Sequence, residues 1–131
     1  MALHSIDPEN LPYEPSKLPR KPDVGADAFF ALDLRVGRVV DARPFPEARK
    51  PAYQLDVDFG PVVGTLQTSA QITNYALDDL VGRRVVGAIN LGVRRIAGFE
   101  SQFLVIGGLA PDGSVHLLTP DDEVPIGAPV A

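Results

Sequence analysis

The sequence predicts an all-β fold, a five-stranded Greek-key barrel with one short helix between strands 3 and 4, preceded by an extended N-terminal arm. Three observations predict it. Short segments of alternating apolar and polar residues recur along the chain, separated by glycine-marked bends. Ile72, Tyr75, Ala76 and Leu80 fall at helical spacing. The first 27 residues hold five of the 13 prolines (Pro8, Pro12, Pro15, Pro19 and Pro22), too closely spaced for a regular helix or a central strand.

Residues 1–27 therefore form the arm, and residues 28–131 the barrel domain with a C-terminal extension. Leu11, Tyr13 and Leu18 are the side chains able to anchor the arm, on the domain or on a neighbouring subunit. In strand 1, Leu32, Leu34 and Val36 alternate with Asp33 and Arg35, and Gly37 then interrupts as a bulge or sharp bend does. In strand 2, Tyr53, Leu55, Val57 and Phe59 alternate with Gln54, Asp56 and Asp58, giving one buried and one wet face. Gly60-Pro61 turns the chain into strand 3 over residues 62–68. Residues 69–80 read as the short helix, with Gly82 as its terminator. Residues 83–90 supply strand 4 and residues 103–109 strand 5, after which a turn at 110–113 leads into a further extended segment at 115–118. Between strands 4 and 5, residues 90–104 read as an irregular polar crossing that places Arg94 and Arg95 between two apolar strands, and such a crossing lies at a binding surface. This arrangement is that of the oligonucleotide/oligosaccharide-binding fold, the OB-fold. A β-sandwich is the alternative. The barrel is preferred because the helix falls where an OB-fold commonly carries one, and because strand 1 has the glycine it needs to bend across two halves of the sheet.

Composition limits the chemistry. The chain has 131 residues, and a domain of that size buries about two-thirds of the surface its unfolded chain exposes. With no cysteine there is no disulfide, no thiol nucleophile and no thiolate metal site, which fits a reducing cytosol. No apolar run approaches the roughly 20 residues of a membrane span. Residues 1–25 lack the basic start and apolar centre of a signal peptide, so a soluble, cytoplasmic protein without membrane insertion is expected. The net charge of −5, from 12 basic and 17 acidic residues, argues against a free-standing, high-affinity nucleic-acid binder. Residues 28–110 are nevertheless near neutral, with nine arginines and lysines against eight acids, so the acidity sits in the two ends.

Catalytic constellations are missing. Of the two histidines, His4 lies in the arm and His116 alternates with Val115 and Leu117 at a solvent-facing strand position. There is no GxSxG, Gly107-Gly108 lacks the residues of a phosphate loop, and Asp121-Asp122-Glu123 lacks the spacing of a calcium loop. Neither an enzyme, a cofactor nor a metal is expected. What remains is polar residues at strand ends: Glu47, Ala48, Arg49 and Lys50 between strands 1 and 2, Gln67, Thr68, Ser69 and Gln71 around the helix entry, where Ser69 can cap it, and Asn90, Arg94 and Arg95 after strand 4. Taken singly these are a solvated loop, a helix cap, a turn and surface charge. Their joint placement at strand ends points to one surface.

Three ordered segments carry a resemblance: Phe45-Pro46-Glu47-Ala48-Arg49, Ser69-Ala70-Gln71-Ile72-Thr73, and Asn90 followed by Arg94-Arg95-Ile96-Ala97-Gly98-Phe99-Glu100-Ser101. They resemble the signatures of the CsaA family, small homodimeric proteins of the tRNA-binding-domain superfamily related to domains appended to some methionyl- and phenylalanyl-tRNA synthetases. The likeness runs from about Phe29 to the C-terminus. It implies an OB-type barrel, two-fold dimerisation, and a secretion-related chaperone activity toward unfolded polypeptides or preproteins. It further implies that Glu47, Ala48, Arg49, Ser69, Gln71, Asn90, Arg94, Arg95, Ser101 and Phe103 line the binding pocket. The chain departs from the family pattern at Gly92-Val93, where prolines are common, and at Gln102, where an acid is common.

A shallow groove with Phe45, Ile96, Phe99 and Phe103 as apolar walls and a few arginines would hold an extended peptide by side-chain burial and backbone hydrogen bonds. The competing expectation is tRNA binding, with Arg43, Arg49, Arg83, Arg84, Arg94 and Arg95 on phosphates and Asn90 or Phe99 on an exposed base. A third is a module that only dimerises. The apolar C-terminal residues Leu117, Leu118, Val124, Pro125, Ile126, Pro129 and Val130 are expected to pack on a partner subunit.

Overall fold

The computed structural model describes residues 11–131, so His4 and Pro8 of the predicted arm lie outside the described residues. The barrel is built from β1 (Leu34–Pro44), β2 (Tyr53–Asp58) and β3 (Thr65–Ala70), joined further along the chain by β4 (Arg84–Ala88) and by β7 (Leu104–Val105). Two hairpins flank it: β5 (Arg94–Ile96) with β6 (Phe99–Ser101), and β8 (Gly107–Leu109) with β9 (Val115–Leu117). The five barrel strands run antiparallel in the order β3-β2-β1-β4-β7. Very little helix is present among the described residues: α1 (Ala26–Phe30) and two single 3-10 turns, at Pro15–Lys17 and Leu77–Asp79.

β1 is long because it serves two neighbours. Leu34–Arg38 pair with β4, and Arg38–Pro44 pair with β2, with a register shift between Val39 and Asp41 that bends the strand. The bend therefore falls at Val40 and not at Gly37. Gly37 meets a different need: a Cβ there would stand 2.5 Å from Val57 Cγ1 and 2.8 Å from Phe59 Cε1, so only glycine lets β1 lie over those side chains. Alternation along β2 turns Leu55 and Val57 inward, and they join Val39, Phe59, Ile72, Leu80, Val85, Phe103 and Val105 in one core. Each such apolar side chain contributes roughly 1.5–3 kcal/mol by leaving water.

The barrel closes between β3 and the chain around β6 and β7 through side chains as well as backbone. Gln102 N–H donates to the Gln67 carbonyl at 2.8 Å, and Gln67 N–H donates to Gln102 Oε1 at 2.9 Å.

The helix expected over residues 69–80 contracts to the single 3-10 turn. β3 continues to Ala70, opposite Tyr53, and thereby takes Ser69 out of any capping position. Beyond it, tertiary hydrogen bonds replace helical ones: Tyr53 Oη donates to the Tyr75 carbonyl at 2.8 Å, and Tyr75 Oη accepts from Leu117 N–H at 3.0 Å. Ile72, Thr73 and Asn74 are weak helix formers, so little local preference opposes this. Ile72 and Leu80 are still buried, as their spacing requires.

Both ends of the described chain pack on the barrel. Tyr13 is buried and its N–H donates to the Pro111 carbonyl at 3.0 Å, while Leu11 covers Gly113 and Leu18 stays exposed. The C-terminal segment runs along the first half of β1: Gly127 N–H donates to the Val36 carbonyl, Val36 N–H to the Ala128 carbonyl and Val130 N–H to the Leu34 carbonyl, at 2.7–3.0 Å. Of the apolar residues expected to cover a partner, Pro129 and Val130 lie along this molecule's own first strand, Leu117 joins the core and Leu118 stays exposed.

Candidate functional site

The loop between β1 and β2 folds on itself, with Phe45 N–H donating to the Ala52 carbonyl and Ala48 N–H to the Phe45 carbonyl. Beside it lies an open groove of about 360 Å³, lined by Pro44, Phe45, Pro46, Ala48, Arg49, Pro51, Ala52, Tyr53 and Thr73. Its three prolines each fix φ, so this wall is stiff before any ligand arrives.

The segment that meets this loop is not the irregular crossing predicted from the sequence. Residues 94–101 form a tight hairpin whose two-residue turn places Ala97 at φ 47° and Gly98 at φ 79°. Two consecutive left-handed residues make the turn whose twist matches paired strands. Asparagine is the usual first residue there, and the alanine hid the hairpin. Ile96 and Phe99 face each other across the turn, and the Phe99 ring packs on Phe45 with centroids 5.4 Å apart. The first and third sequence motifs are thus in contact.

The second motif joins from beneath. Thr68 Oγ1 donates to the Phe103 carbonyl at 2.6 Å and lies 2.9 Å from Ser101 Oγ, which accepts from Ser69 N–H at 3.3 Å. Ser69 and Ser101 therefore stitch β3 to β6, and Ser101 is buried. Phe103 is a core residue, 4% exposed and edge-on to Phe59 at 4.9 Å, so its ring forms no wall of the groove. Asn90 is spent on backbone: its Oδ1 accepts from Asp33 N–H at 2.8 Å and its Nδ2 donates to the Ala31 carbonyl at 2.9 Å. Ala48 and Arg49 line the groove, while Glu47, Gln71, Arg94 and Arg95 are exposed and outside its lining.

Four of the nine basic residues between positions 28 and 110 are paired with carboxylates. Arg35 pairs with Asp33, Arg43 with Asp41 and Asp56, Arg84 with Asp122, and Arg95 with Glu100. The hydrogen bond that Arg43 donates to Asp56, together with the attraction of the carboxylates, holds the guanidinium above its ordinary value against the opposing effect of burial. Arg83 lies over the Tyr75 ring, 4.9 Å from its centroid. Arg38, Arg49, Lys50 and Arg94 have no ion pair among the described residues. Sequence reasoning gave no role to Glu100, although a two-residue turn at 97–98 places residue 100 opposite residue 95. No group of His, Cys, Asp or Glu fit to hold a metal occurs among the described residues.

A family model described as a putative tRNA-binding domain matches residues 34–129, the whole barrel and the segment along β1. A CsaA chaperone from Bacillus anthracis str. Ames superposes with a TM-score of 0.79 at 43% identity, covering 84% of this chain and 100% of that one. This chain belongs to the tRNA-binding-domain family, with the CsaA proteins. A second CsaA chaperone, from Picrophilus torridus, gives the same TM-score at 38% identity, covering 83% of this chain and 100% of its own. Among curated relatives, the methionine–tRNA ligase of Thermococcus onnurineus is 43% identical over 101 residues, 76% of this chain but 13% of the ligase. The chain thus spans only a small part of the ligases it matches. Family membership rests on a binding domain and not on a catalytic one, and no helix among the described residues is long and apolar enough to cross a membrane.

Proposed function

We propose that the protein is a homodimeric, cytoplasmic molecular chaperone that holds unfolded or pre-export polypeptides in the groove between the Phe45 loop and the β5–β6 hairpin. The observation that carries this reading is the lining of the groove, mostly proline and other apolar side chains with Arg49 its single charge and with Phe45 packed on Phe99, while outside that lining Arg35, Arg43, Arg84 and Arg95 are paired with carboxylates. Apolar walls retain a neutral chain, whereas paired arginines release few counterions from a polynucleotide. Two relatives covered over their whole length are CsaA chaperones, which supports the same reading. Glu47, Ala48, Arg49, Gln71, Arg94 and Arg95 are the proposed contacts, with Ser69, Asn90, Ser101 and Phe103 holding the walls in place.

The second reading is tRNA binding on the same face. Arg49, Lys50 and Arg94, without ion pairs among the described residues, favour it, as does the family description. Titrating the protein with a reduced, carbamidomethylated unfolded protein and with tRNA, across a salt series, separates the two. Micromolar, weakly salt-dependent binding of the unfolded protein is expected. Tight, steeply salt-dependent tRNA binding with no binding of unfolded protein would overturn the chaperone reading.

Dimerisation is supported by exposed apolar side chains: Phe29, Phe30 and Leu32, with Leu91 and Val93 in the loop that Asn90 ties to Ala31 and Asp33, are all at least 40% exposed. Sedimentation should show a dimer at micromolar concentration and a monomer for Phe30→Asp. A wild-type monomer would refute the assembly.

A further inference from the structure

Two aromatic rings line the groove, and they are not equivalent. Phe45 is 4% exposed, so its ring is already covered and has little surface left for a ligand, whereas Tyr53 is half-buried. Alternation along β2 puts Tyr53 on the face of Leu55 and Val57, at the first residue of the strand, where that face runs out of the core. Its side chain therefore packs against the core and also lines the groove.

The one proton of the Tyr53 hydroxyl is committed: Oη donates to the Tyr75 carbonyl at 2.8 Å. That carbonyl belongs to a segment which is itself held. Tyr75 Oη accepts from Leu117 N–H at 3.0 Å, Asn74 Nδ2 donates to the Val115 carbonyl at 3.1 Å, and the Arg83 guanidinium covers the Tyr75 ring. A side chain with only two χ angles and a tethered tip loses little freedom when a ligand arrives.

We infer that Tyr53 is the principal contact of the groove, a ring fixed in advance on the Tyr75 carbonyl that receives an apolar side chain of the bound polypeptide. The inference rests on the polypeptide-binding reading above, and it names the side chain that meets the client and the chemistry selected. With its proton donated internally, Tyr53 offers the ligand carbon surface and no hydrogen-bond donor, so selection is by apolar area buried. Leucine, valine and proline side chains satisfy that demand in any sequence order. A nucleobase stacks on such a ring as well. Arg49, however, is the single charge of the lining, and one cation gives a polynucleotide few phosphate contacts.

The test uses the full-length chain, with the carbamidomethylated unfolded protein and tRNA as probes. Tyr53→Phe keeps the ring and removes the tether, and Tyr53→Leu keeps an apolar side chain and removes the ring. Polypeptide affinity should fall about tenfold for Tyr53→Leu, the scale of a truncated hot spot, and less than about threefold for Tyr53→Phe. Affinity for tRNA should be unchanged in both. Either substitution touches the core, so wild type is also titrated with its tyrosine rings labelled with carbon-13 and read by NMR. The chain has three tyrosines, and the Tyr53 signal is assigned by its loss in Tyr53→Phe. That signal should move as unfolded protein is added, while the signal of Tyr13, buried and outside the lining, should stay. Full binding by Tyr53→Leu, an equal loss in the two variants, a loss confined to tRNA, or an unmoved Tyr53 signal at saturation would each overturn the inference. Wild type that binds no unfolded polypeptide overturns the chaperone reading instead, so the two failures are distinct.

Discussion

The hydroxyl oxygens of Thr68 and Ser101 lie 2.9 Å apart inside the seam where β3 meets β6, and the threonine also donates to the Phe103 carbonyl at 2.6 Å. Thr68 is 1% exposed, so neither partner can turn to water. Thr68→Val, nearly isosteric, should therefore cost about 1–3 kcal/mol by leaving buried polar atoms unpaired. Urea unfolding measures it; a loss below about 0.5 kcal/mol would mean that the seam does not depend on this contact.

Phe99 is half-buried, and its contact with Phe45 is the one that brings the hairpin to the loop. Phe99→Ala is expected to weaken binding of unfolded polypeptide about tenfold, equivalent to about 1.4 kcal/mol. It should destabilise the fold by less than Phe103→Ala, for which a buried phenylalanine predicts about 3–5 kcal/mol. Paired calorimetric titrations and thermal melts distinguish wall from core, and equal stability losses would reject the distinction.

At Gly87 a Cβ would stand 2.7 Å from Phe59 Cζ and 2.9 Å from Phe103 Cδ2, both rings of the central core. Gly87→Ala should destabilise by about 1–3 kcal/mol through overpacking. Gly108→Ala serves as the control, because nothing lies within 4 Å of its added carbon. Equal midpoints for the two variants would show that the rings yield.

The Ser114 hydroxyl, followed by the Ser114 backbone N–H, donates to Asp112 and holds its carboxyl below the ordinary carboxylate value. A depressed folded-state pKa contributes stability above the unfolded value, and that contribution is lost as pH falls through the folded one. Ser114→Ala should raise the Asp112 pKa toward the ordinary range and weaken the acid dependence below about pH 4. Carbon-detected NMR titration of the side chain reads it, and an unmoved pKa would exclude the hydroxyl as cause.

Much of this was legible in the chain, and the exceptions share a cause. β2 was plain because Leu55 and Val57 alternate strictly with polar residues, and pattern alone decides such a strand. The three site motifs were visible as polar residues misplaced at strand ends. The supposed helix after β3 was not, because Tyr53 and Tyr75 hold that segment by contacts between residues far apart in sequence, which no local spacing encodes. Alanine at φ 47° concealed the β5–β6 turn, and with it the partnership of Arg95 and Glu100. The resemblance implied Asn90, Ser101 and Phe103 as pocket residues, whereas Asn90 and Ser101 hydrogen-bond the framework and the Phe103 ring sits in the core.

The segment along β1 has one more consequence. Where β2 stops pairing, the first half of β1 would present bare N–H and C=O groups, and residues 127–130 occupy them, with Pro129 opposite Arg35. Proline has no N–H to offer a further strand. The flank along which an extended chain could otherwise add as a further strand is in this way sealed against cross-β growth.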